Sequence, residues 1–275
     1  MTLWPDEREV RRLELHEARV HAMRPGRHVR ELADGVVLYD ETDPDPFWNR
    51  LATPRLPADE KAFRRRLDEV IVYFATLSRR PHLWASPGYH QPPDLERRLR
   101  EAGFVDLGRG LLMALTRPER STAAATPAER GITVERLRGE RGDRNPTVAA
   151  EVALVAAEAF AADSEARSVM VDDVLGLLAR VEFAAYLVRA DGEPAAVAKA
   201  TTFDGATYLS TIGTRPRFRG RGLAALATAA AARDAQAAGS AWIYLGVFES
   251  NLTARRLYDR LGFEDVGEAA GDWLL

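Results

Sequence analysis

The sequence predicts an α+β protein built in two parts, and three observations carry that prediction. First, three strand-like segments follow one another, separated by Asp-Gly dipeptides that suit the positive φ angles of tight hairpin turns. Second, segments with helical periodicity alternate with strands on both sides of this antiparallel meander. Third, the stretch 117–131 (RPERSTAAATPAERG) loses its hydrophobic periodicity and is rich in small and polar residues, which is typical of a linker.

The elements before the linker are predicted from periodicity and from turn residues. Phe63, Leu67, Ile71 and Phe74 have helical spacing, and the dipeptide Gly103-Phe104 closes a later helix. In chain order the pattern predicts a helix at 10–23, a strand at 36–39, a helix at 58–77, a strand around 82–84, a helix at 94–101 and a buried strand at 111–115.

The elements after the linker follow the same reasoning. Alternating apolar residues predict a first strand, two helices precede the meander, and an Ala-rich helix follows it. The predicted elements are a strand at 132–137, helices at 147–162 and 171–180, the meander strands at 183–188, 195–202 and 206–214, a helix at 223–238, a strand at 242–247, a helix at 251–261 and a final strand after Phe263.

These elements predict an accessory domain at 1–116, a linker at 117–131 and a catalytic domain at 132–275. The two domains share a faint similarity, because DLERRLREAGF at 94–104 aligns without gaps on TARRLYDRLGF at 253–263. The helix at 58–77 also occupies the place that the helix at 223–238 has in the second half. We interpret this as a decayed duplication, with an unrelated α+β domain as the alternative.

Composition excludes several classes of function. The chain of 275 residues has 38 basic and 41 acidic side chains, a net charge of −3 that argues against a nucleic-acid-binding protein. The absence of cysteine excludes disulfides, thiolate nucleophiles and Cys-ligated metals. The histidines at 82 and 90 lack partners at metal-ligand spacing, so we expect no metal site. All basic residues except Lys61 and Lys199 are arginines, which we attribute to coding bias.

We expect a cytoplasmic protein that does not interact with membranes. The N-terminus runs directly into charged residues, so no apolar segment of a secretory signal is visible. The longest apolar stretch, 147–162, is interrupted by Glu151 and Glu158 and is too short to span a bilayer.

The most informative segment is YLSTIGTRPRFRGRGLAAL at 208–226. A strand ends here, and a loop of alternating arginine and glycine leads into a helix. Gly220 and Gly222 lack a Cβ, so consecutive backbone N–H groups can turn inward towards a ligand. The helix start adds further N–H groups and the positive end of the helix dipole, and Arg217, Arg219 and Arg221 add positive charge. The segment predicts a phosphate-binding loop.

Three phosphate-binding motifs compete for this loop. The Walker motif is absent from the chain. A dinucleotide fingerprint fits Gly220, Gly222 and Ala225, but only 53 residues follow Gly222, too few to complete a doubly wound sheet. The third motif, R-x-x-G-x-G at 217–222, is followed by N-x-x-A-x-x-L-Y-x-x-x-G-F at 251–263. Over about 132–275, these two motifs and the order of elements resemble the GNAT N-acetyltransferase superfamily.

The resemblance implies a central mixed, mostly antiparallel twisted sheet flanked by helices, and acetyl-coenzyme A as co-substrate. It places pantetheine along the backbone of Ile212, Gly213 and Thr214. The pyrophosphate would bind the loop N–H groups of Arg217, Phe218, Arg219, Gly220, Arg221, Gly222 and Leu223. Asn251 matches an asparagine near the pantetheine arm, and Tyr258 matches a tyrosine beside the thioester sulfur.

The expected reaction is transfer of an acetyl group to a primary amine, with a small molecule as acceptor. Tyr258 would protonate the departing thiolate. Asn251 could instead only cap a helix, and Tyr258 could be a packed aromatic residue. The strand 207–214 lacks the acidic residue that many relatives carry there, so Glu182 and Glu249 are base candidates by location alone. The alternative function is a non-catalytic acyl-coenzyme A sensor or scaffold.

The first half lacks the R-x-x-G-x-G motif, and the gapless alignment places Leu99 opposite Tyr258. We therefore expect that the first half does not bind coenzyme A in the usual loop.

Overall fold

The computed structural model describes residues 2–125, 130–138 and 145–275, which form two compact units. The first unit comprises Met1–Leu112, Val247–Leu252 and Asp265–Leu275, and the second comprises Met113–Gly246 and Thr253–Glu264. Each unit contains a mixed, mostly antiparallel sheet with helices packed on it, which confirms the predicted fold class.

The first unit contains a sheet in the order β2-β3-β4-β5-β12, with β1 beside β12. Neighbouring strands are antiparallel except for the parallel pairs β4–β5 and β1–β12. Its elements are β1 Thr2–Leu3, α1 Glu7–His21, β2 Arg27–Leu32, β3 Gly35–Asp40, β4 Arg50–Ala52, α2 Glu60–Thr76, β5 His82–Trp84, α3 Leu95–Glu101 and β6 Val105–Leu115, whose last residues belong to the second unit. Phe63, Leu67 and Phe74 of α2 lie in its core, as their spacing predicts.

The second unit contains a sheet in the order β11-β10-β9-β8-β7, in which only β10 and β11 are parallel among the described pairs. Its elements are α4 Pro118–Ala124, β7 Ile132–Arg138, α5 Pro146–Ala159, α6 Ser164–Leu177, β8 Phe183–Ala190, β9 Glu193–Phe203, β10 Ala206–Thr214, α7 Leu223–Ala237, β11 Trp242–Phe248, α8 Leu252–Leu261 and β12 Phe263–Leu274. The last residues of β11, the first residue of α8 and most of β12 group with the first unit. One face of the sheet packs on α5 and α6, and α7 packs on β8, β9 and β10.

The order of elements repeats in the two units. Three antiparallel strands (β2–β4) are followed by α2, by β5 parallel to β4, and by α3 and β6. In the second unit, β8–β10 are followed by α7, by β11 parallel to β10, and by α8 and β12. This repetition agrees with the alignment of 94–104 on 253–263.

The structure differs from the predicted domain limits at two places. Asp265–Leu275 groups with the first unit, because Trp273 is fully buried in that unit's core and its strand pairs with β5. The predicted linker contains α4, which begins with Pro118, packs on α7 and belongs to the second unit. Residues 126–129 of the predicted linker lie outside the described residues.

Helix α6 begins seven residues before its predicted start at Val171. Asp163 caps it, since its Oδ1 accepts a hydrogen bond of 2.8 Å from the Ala166 N–H. The short connection from α5 to α6 includes Ala161 in the left-handed conformation at φ +56°. Within the described ranges, no helix combines the length and apolar character that a membrane crossing requires.

Candidate functional site

Strand β10 separates from β11 halfway along its length. The parallel ladder between them pairs Ala206–Leu209 with Trp242–Leu245, and among the described residues it ends there although β10 runs on to Thr214. On its other edge β10 stays paired with β9 as far as Thr214. The edge of Ser210–Thr214 that faces β11 therefore has backbone groups outside the ladder, which a ligand can use.

A bulge marks the point of separation. The register with β9 shifts between Ser210 and Gly213, where three steps along β10 correspond to two along β9. Within the bulge, Thr211 has a φ of +48°, an uncommon conformation for a β-branched residue. Bulges bend a strand and re-aim its edge, so this one accounts for the divergence of β10 from β11.

Gly213 is held against the end of α5. A Cβ at this position would lie 2.6 Å from the Ala159 Cβ and 3.5 Å from the Phe160 ring. Only glycine therefore allows β10 to pass this close to the helix. The last residues of α5 were not among the predicted site residues, because no local pattern links them to a position more than fifty residues later.

The loop after β10 has the geometry of an anion site. A single 3-10 turn at Pro216–Phe218 is followed by Gly220 and Gly222, both left-handed with φ of +80° and +72°. A Cβ at either glycine would meet no atom within 4 Å, so this side of the backbone is open. Both glycines thus adopt a conformation that other residues rarely take.

Helix α7 begins immediately after this loop without a side-chain cap. Gly222 occupies the N-cap position, and the first helical hydrogen bond runs from the Leu226 N–H to the Gly222 carbonyl at 3.0 Å. The N–H groups of the first three helical residues, Leu223, Ala224 and Ala225, therefore have no acceptor within the helix. The helix dipole adds partial positive charge at the same end. This helix start can bind a phosphate through its main chain.

The loop arginines take different positions. Arg217 forms an ion pair with Glu193 and stacks on the Phe218 ring with 4.6 Å to its centroid. Arg219 donates to the carbonyl oxygens of Ala159 at 3.1 Å and Thr214 at 3.4 Å. Arg219 thus ties the loop to the end of α5, whereas the side chain of Arg221 is exposed.

Arg215, which the sequence did not single out, anchors the loop. Its guanidinium is 8% exposed, donates two hydrogen bonds of 2.8 Å to the Glu158 carboxylate and a third of 2.8 Å to the Pro194 carbonyl. Hydrogen bonding to Arg215 lowers the pKa of Glu158. This bidentate pair fixes the base of the loop to α5 and β9.

Tyr258 lies near the end of α8 and belongs to the same unit as the loop. It is only 6% exposed, and its ring centroid lies 6.0 Å from that of Phe263. Burial raises the pKa of Tyr258 to about 12, so the phenol stays protonated at neutral pH. Tyr258 is therefore both a packed aromatic residue and a hydroxyl donor.

Asn251 directly precedes α8 and groups with the first unit. Its side chain is exposed, and its backbone N–H donates to the Phe248 carbonyl at 2.9 Å. The structure therefore brings Ile212–Thr214 and Arg217–Leu223 together as one continuous edge and loop, with Tyr258 on a helix of the same unit. The roles of all these residues stay predictions.

The two carboxylates considered as bases have different surroundings. Glu182 lines a cavity of about 180 Å³ beside the C-terminal half of α7, together with Tyr186 and Asp234. The part of α7 that lines this cavity starts at Ala231, eight residues or about 12 Å along the helix from Leu223. Glu249 belongs to the first unit, where its N–H donates to the Arg109 carbonyl at 2.8 Å. Among the described residues no group of three acidic or histidine side chains could hold a metal ion.

The corresponding helix start in the first unit is closed to phosphate. Asp59 caps α2 by accepting a hydrogen bond of 2.9 Å from the Ala62 N–H, which places a carboxylate where a phosphate would bind. The chain after β4 pairs with Gln91, whose N–H donates to Pro54 at 3.0 Å and whose carbonyl accepts from Leu56 at 2.9 Å. Both features support the expectation that this unit lacks a usual coenzyme A loop.

The comparisons with known proteins agree with this geometry. The family model of the Acetyltransferase (GNAT) family matches residues 155–263. No significant match was found among curated protein sequences. The matched residues 155–263, which include the bulged strand and the glycine loop, are similar to the GNAT acetyltransferase family.

Solved structures show the fold of the whole chain. A GCN5-related N-acetyltransferase from Kribbella flavida is 23% identical and superposes with a TM-score of 0.68, covering 96% of this chain and 95% of its own. A tandem GNAT protein from the clavulanic acid biosynthesis pathway is 15% identical with a TM-score of 0.63, covering 94% and 86%. A GCN5-related N-acetyltransferase from Sphaerobacter thermophilus is 16% identical with a TM-score of 0.61, covering 88% and 80%. The two units thus have the fold of tandem GNAT proteins.

Proposed function

We propose that the second unit transfers an acetyl group from acetyl-coenzyme A to the primary amine of a small molecule. The observation that carries the proposal is the open glycine loop at the uncapped start of α7, continuous with the unpaired edge of β10. A phosphate group and an extended amide-bearing tail are the two chemical features that such a pair of surfaces fits.

The main chain supplies the binding groups in this proposal. The N–H groups within Arg217–Leu223 hold the pyrophosphate, apart from those of Phe218 and Arg219, which donate to the Arg215 and Pro216 carbonyls at 2.9 and 3.3 Å. The edge of Ile212–Thr214 pairs with the pantetheine amides. Asn251 contributes near the pantetheine arm. Arg215 and Arg219 position the loop through Glu158 and Ala159. A backbone that is fixed before binding lowers the entropic cost of binding.

Tyr258 acts on the leaving group in the proposed reaction. Coenzyme A supplies an activated acetyl group as a thioester, and the sulfur gains negative charge as the amine attacks the carbonyl carbon. A thiol with an ordinary pKa of about 8.5 is a stronger acid than the phenol at about 12, so complete proton transfer from Tyr258 is unfavourable. Tyr258 therefore stabilises the departing sulfur by donating a hydrogen bond.

The acceptor class rests on the absence of any peptide-recruiting motif in the sequence. A non-catalytic acyl-coenzyme A binding module is the second candidate. It is favoured by the lack of a carboxylate on 207–214 and by the position of Glu182 in the cavity beside the C-terminal half of α7.

Ligand-dependent melting tests the binding half of this proposal. We expect coenzyme A to raise the melting temperature, since a ligand that binds only the folded state stabilises it, whereas NAD should have no effect. Stabilisation by NAD alone would favour dinucleotide binding and contradict the proposal.

Thiol release from acetyl-coenzyme A with a panel of primary amines tests turnover. Tyr258→Phe should keep coenzyme A affinity and lower kcat about 100-fold, the lower end of the range for loss of one oxyanion-type hydrogen-bond donor. Tyr186→Phe is the matched control, because it removes a buried hydroxyl that donates to Asp234 at 3.1 Å in the cavity beside α7. Tight binding with no turnover on any amine would instead support the binding module.

A further inference from the structure

Lys199 is one of two lysines in a chain whose other basic residues are arginines. It lies in β9, a strand with neighbours on both sides, and its register partners are Ala185 on β8 and Ser210 on β10. The coding bias that accounts for the many arginines does not account for a lysine at this central position. Arginine and lysine differ in one respect that matters for chemistry, because only the lysine ammonium readily loses its proton in proteins.

The surroundings of Lys199 favour its neutral form. It lies on the same sheet face as Ala185 and Val197, which pack in the apolar cluster with α5 and α6. Burial lowers the pKa of Lys199 to about 8, and the carboxylate of Asp173 on α6 partly opposes that shift.

The charged groups on α5 are paired elsewhere, and Arg167 and Asp172 on α6 are exposed. Tyr208 lies on the same face of β10 as Ser210. On α5, the Glu151 carboxylate accepts two hydrogen bonds from Arg189, and Glu158 accepts two from Arg215. The neighbouring strands present alanine and serine to Lys199. Burial is thus the larger influence on the pKa of Lys199, and the Asp173 carboxylate acts in the opposite direction.

The register places Lys199 of β9 opposite Ser210, the point at which β10 leaves its ladder with β11. Ser210 is the first β10 residue beyond the parallel ladder and the first residue of the bulge. Directly opposite residues of an antiparallel pair have Cβ atoms about 4.5–5.5 Å apart on the same face. The four-carbon stem of a lysine can carry its ammonium across that separation.

We propose that Lys199, as the neutral amine, accepts the proton of the acceptor amine during acetyl transfer. This inference rests on the proposed function, in which the tail of coenzyme A runs from the glycine loop along Thr214–Ile212 and ends beside Ser210. The new N–C bond forms as the C–S bond breaks, and the sulfur leaves with the bonding electron pair. The proton passes from the acceptor nitrogen to Nζ of Lys199 and then to the sulfur, which restores the neutral lysine.

The pKa values of the proton donor and acceptor favour this route. A thiol has an ordinary pKa of about 8.5, close to the value of about 8 for Lys199, so the return of the proton to sulfur is nearly balanced. The same transfer from Tyr258 is strongly uphill. The two residues therefore have separate roles, with Lys199 moving the proton and Tyr258 donating a hydrogen bond to the sulfur.

The pH dependence of thiol release tests the proposal with an amine that the wild type acetylates. Wild-type kcat/KM should rise with pH and level off with an inflection near 8. Lys199→Arg keeps a cation but cannot accept a proton, so it should lose about 100-fold or more in kcat together with that inflection. Lys61→Arg, at the exposed second lysine, is the matched control and should change neither. Coenzyme A affinity should stay unchanged in both variants.

A second variant keeps the test independent of folding defects at position 199. Asp173→Asn removes the carboxylate that favours the charged lysine, so the inflection should move to lower pH. A Lys199→Arg enzyme with wild-type rate and profile would overturn the proposal, as would an inflection that persists in it or stays fixed in Asp173→Asn. A wild-type protein that binds coenzyme A without turnover would overturn both the proposed acetyltransferase activity and the role of Lys199. If the wild type turns over and only the predictions for the Lys199 and Asp173 variants fail, the proposed activity stands and the role of Lys199 does not.

Discussion

Replacing Gly222 with alanine separates the conformational role of this glycine from its role in binding. Gly222 has a φ of +72°, and a Cβ there would meet no protein atom within 4 Å. The substitution therefore creates no clash, and its cost is the left-handed conformation of alanine, about 1–2 kcal/mol. For a protein of this size, that corresponds to a melting temperature lower by a few degrees.

The effect of Gly222→Ala on coenzyme A binding should be larger than its effect on stability. If the loop N–H groups hold the pyrophosphate, the added methyl group occupies the open side where the phosphate approaches. Loss of one hydrogen bond to a charged group is about 1.5–3 kcal/mol, and each 1.4 kcal/mol is a factor of ten in affinity. We therefore expect coenzyme A to bind Gly222→Ala at least tenfold more weakly in isothermal titration calorimetry.

Gly239 provides a matched control at the other end of the same helix. Its φ is +79°, a Cβ there would also meet nothing within 4 Å, and it follows the last residues of α7. Gly239→Ala should lower the melting temperature by a similar amount and leave coenzyme A affinity unchanged. Equal weakening in both variants, or unchanged affinity in Gly222→Ala, would refute the assignment of this loop to phosphate binding.

Two further predictions concern the scaffold around the loop. Gly213→Ala should destabilise the protein by about 1–3 kcal/mol in chemical denaturation, because the new Cβ would lie 2.6 Å from that of Ala159, and Ala159→Gly should recover part of the loss. Glu158 has a pKa lowered below 4.5 by Arg215, so its contribution to stability is present above that pH and is lost as the pH falls through the lowered value. Glu158→Gln should therefore flatten the acid-induced fall in melting temperature below pH 4.5, and an unchanged slope would contradict this account.

The parts of the fold that local chemistry specifies were predictable from the sequence. Asp-Gly turns identify the meander, and the helix after Gly222 follows from its alanines and from the glycines that precede it. The glycine loop was also predictable, because left-handed positions and a helix start are properties of a few consecutive residues. Both glycines are left-handed in the structure, while their role in binding stays a prediction.

The parts that depend on distant contacts were not predictable. Glu158 and Arg215 are 57 positions apart, and nothing in either neighbourhood indicates the pair. Thr211 in a left-handed bulge contradicts its own β-branched preference, so the tertiary structure imposes this conformation. The last strand follows α8 directly, and only the burial of Trp273 in the first unit's core shows where it belongs.

The two units also show that the same order of elements can start its helix with a side-chain cap in one case and without one in the other. In the first unit the Asp59 carboxylate caps α2, a contribution of about 1 kcal/mol that also fills the helix start with negative charge. In the second unit α7 starts at Gly222 without such a cap and forgoes that stability. The sequence of α7, LAALATAAAARDAQA, offsets the loss, since alanine has the highest helix propensity and its small side chain packs closely on the sheet. An uncapped helix start can persist in a folded protein when the rest of the helix supplies its stability, and that leaves its N–H groups available to a ligand.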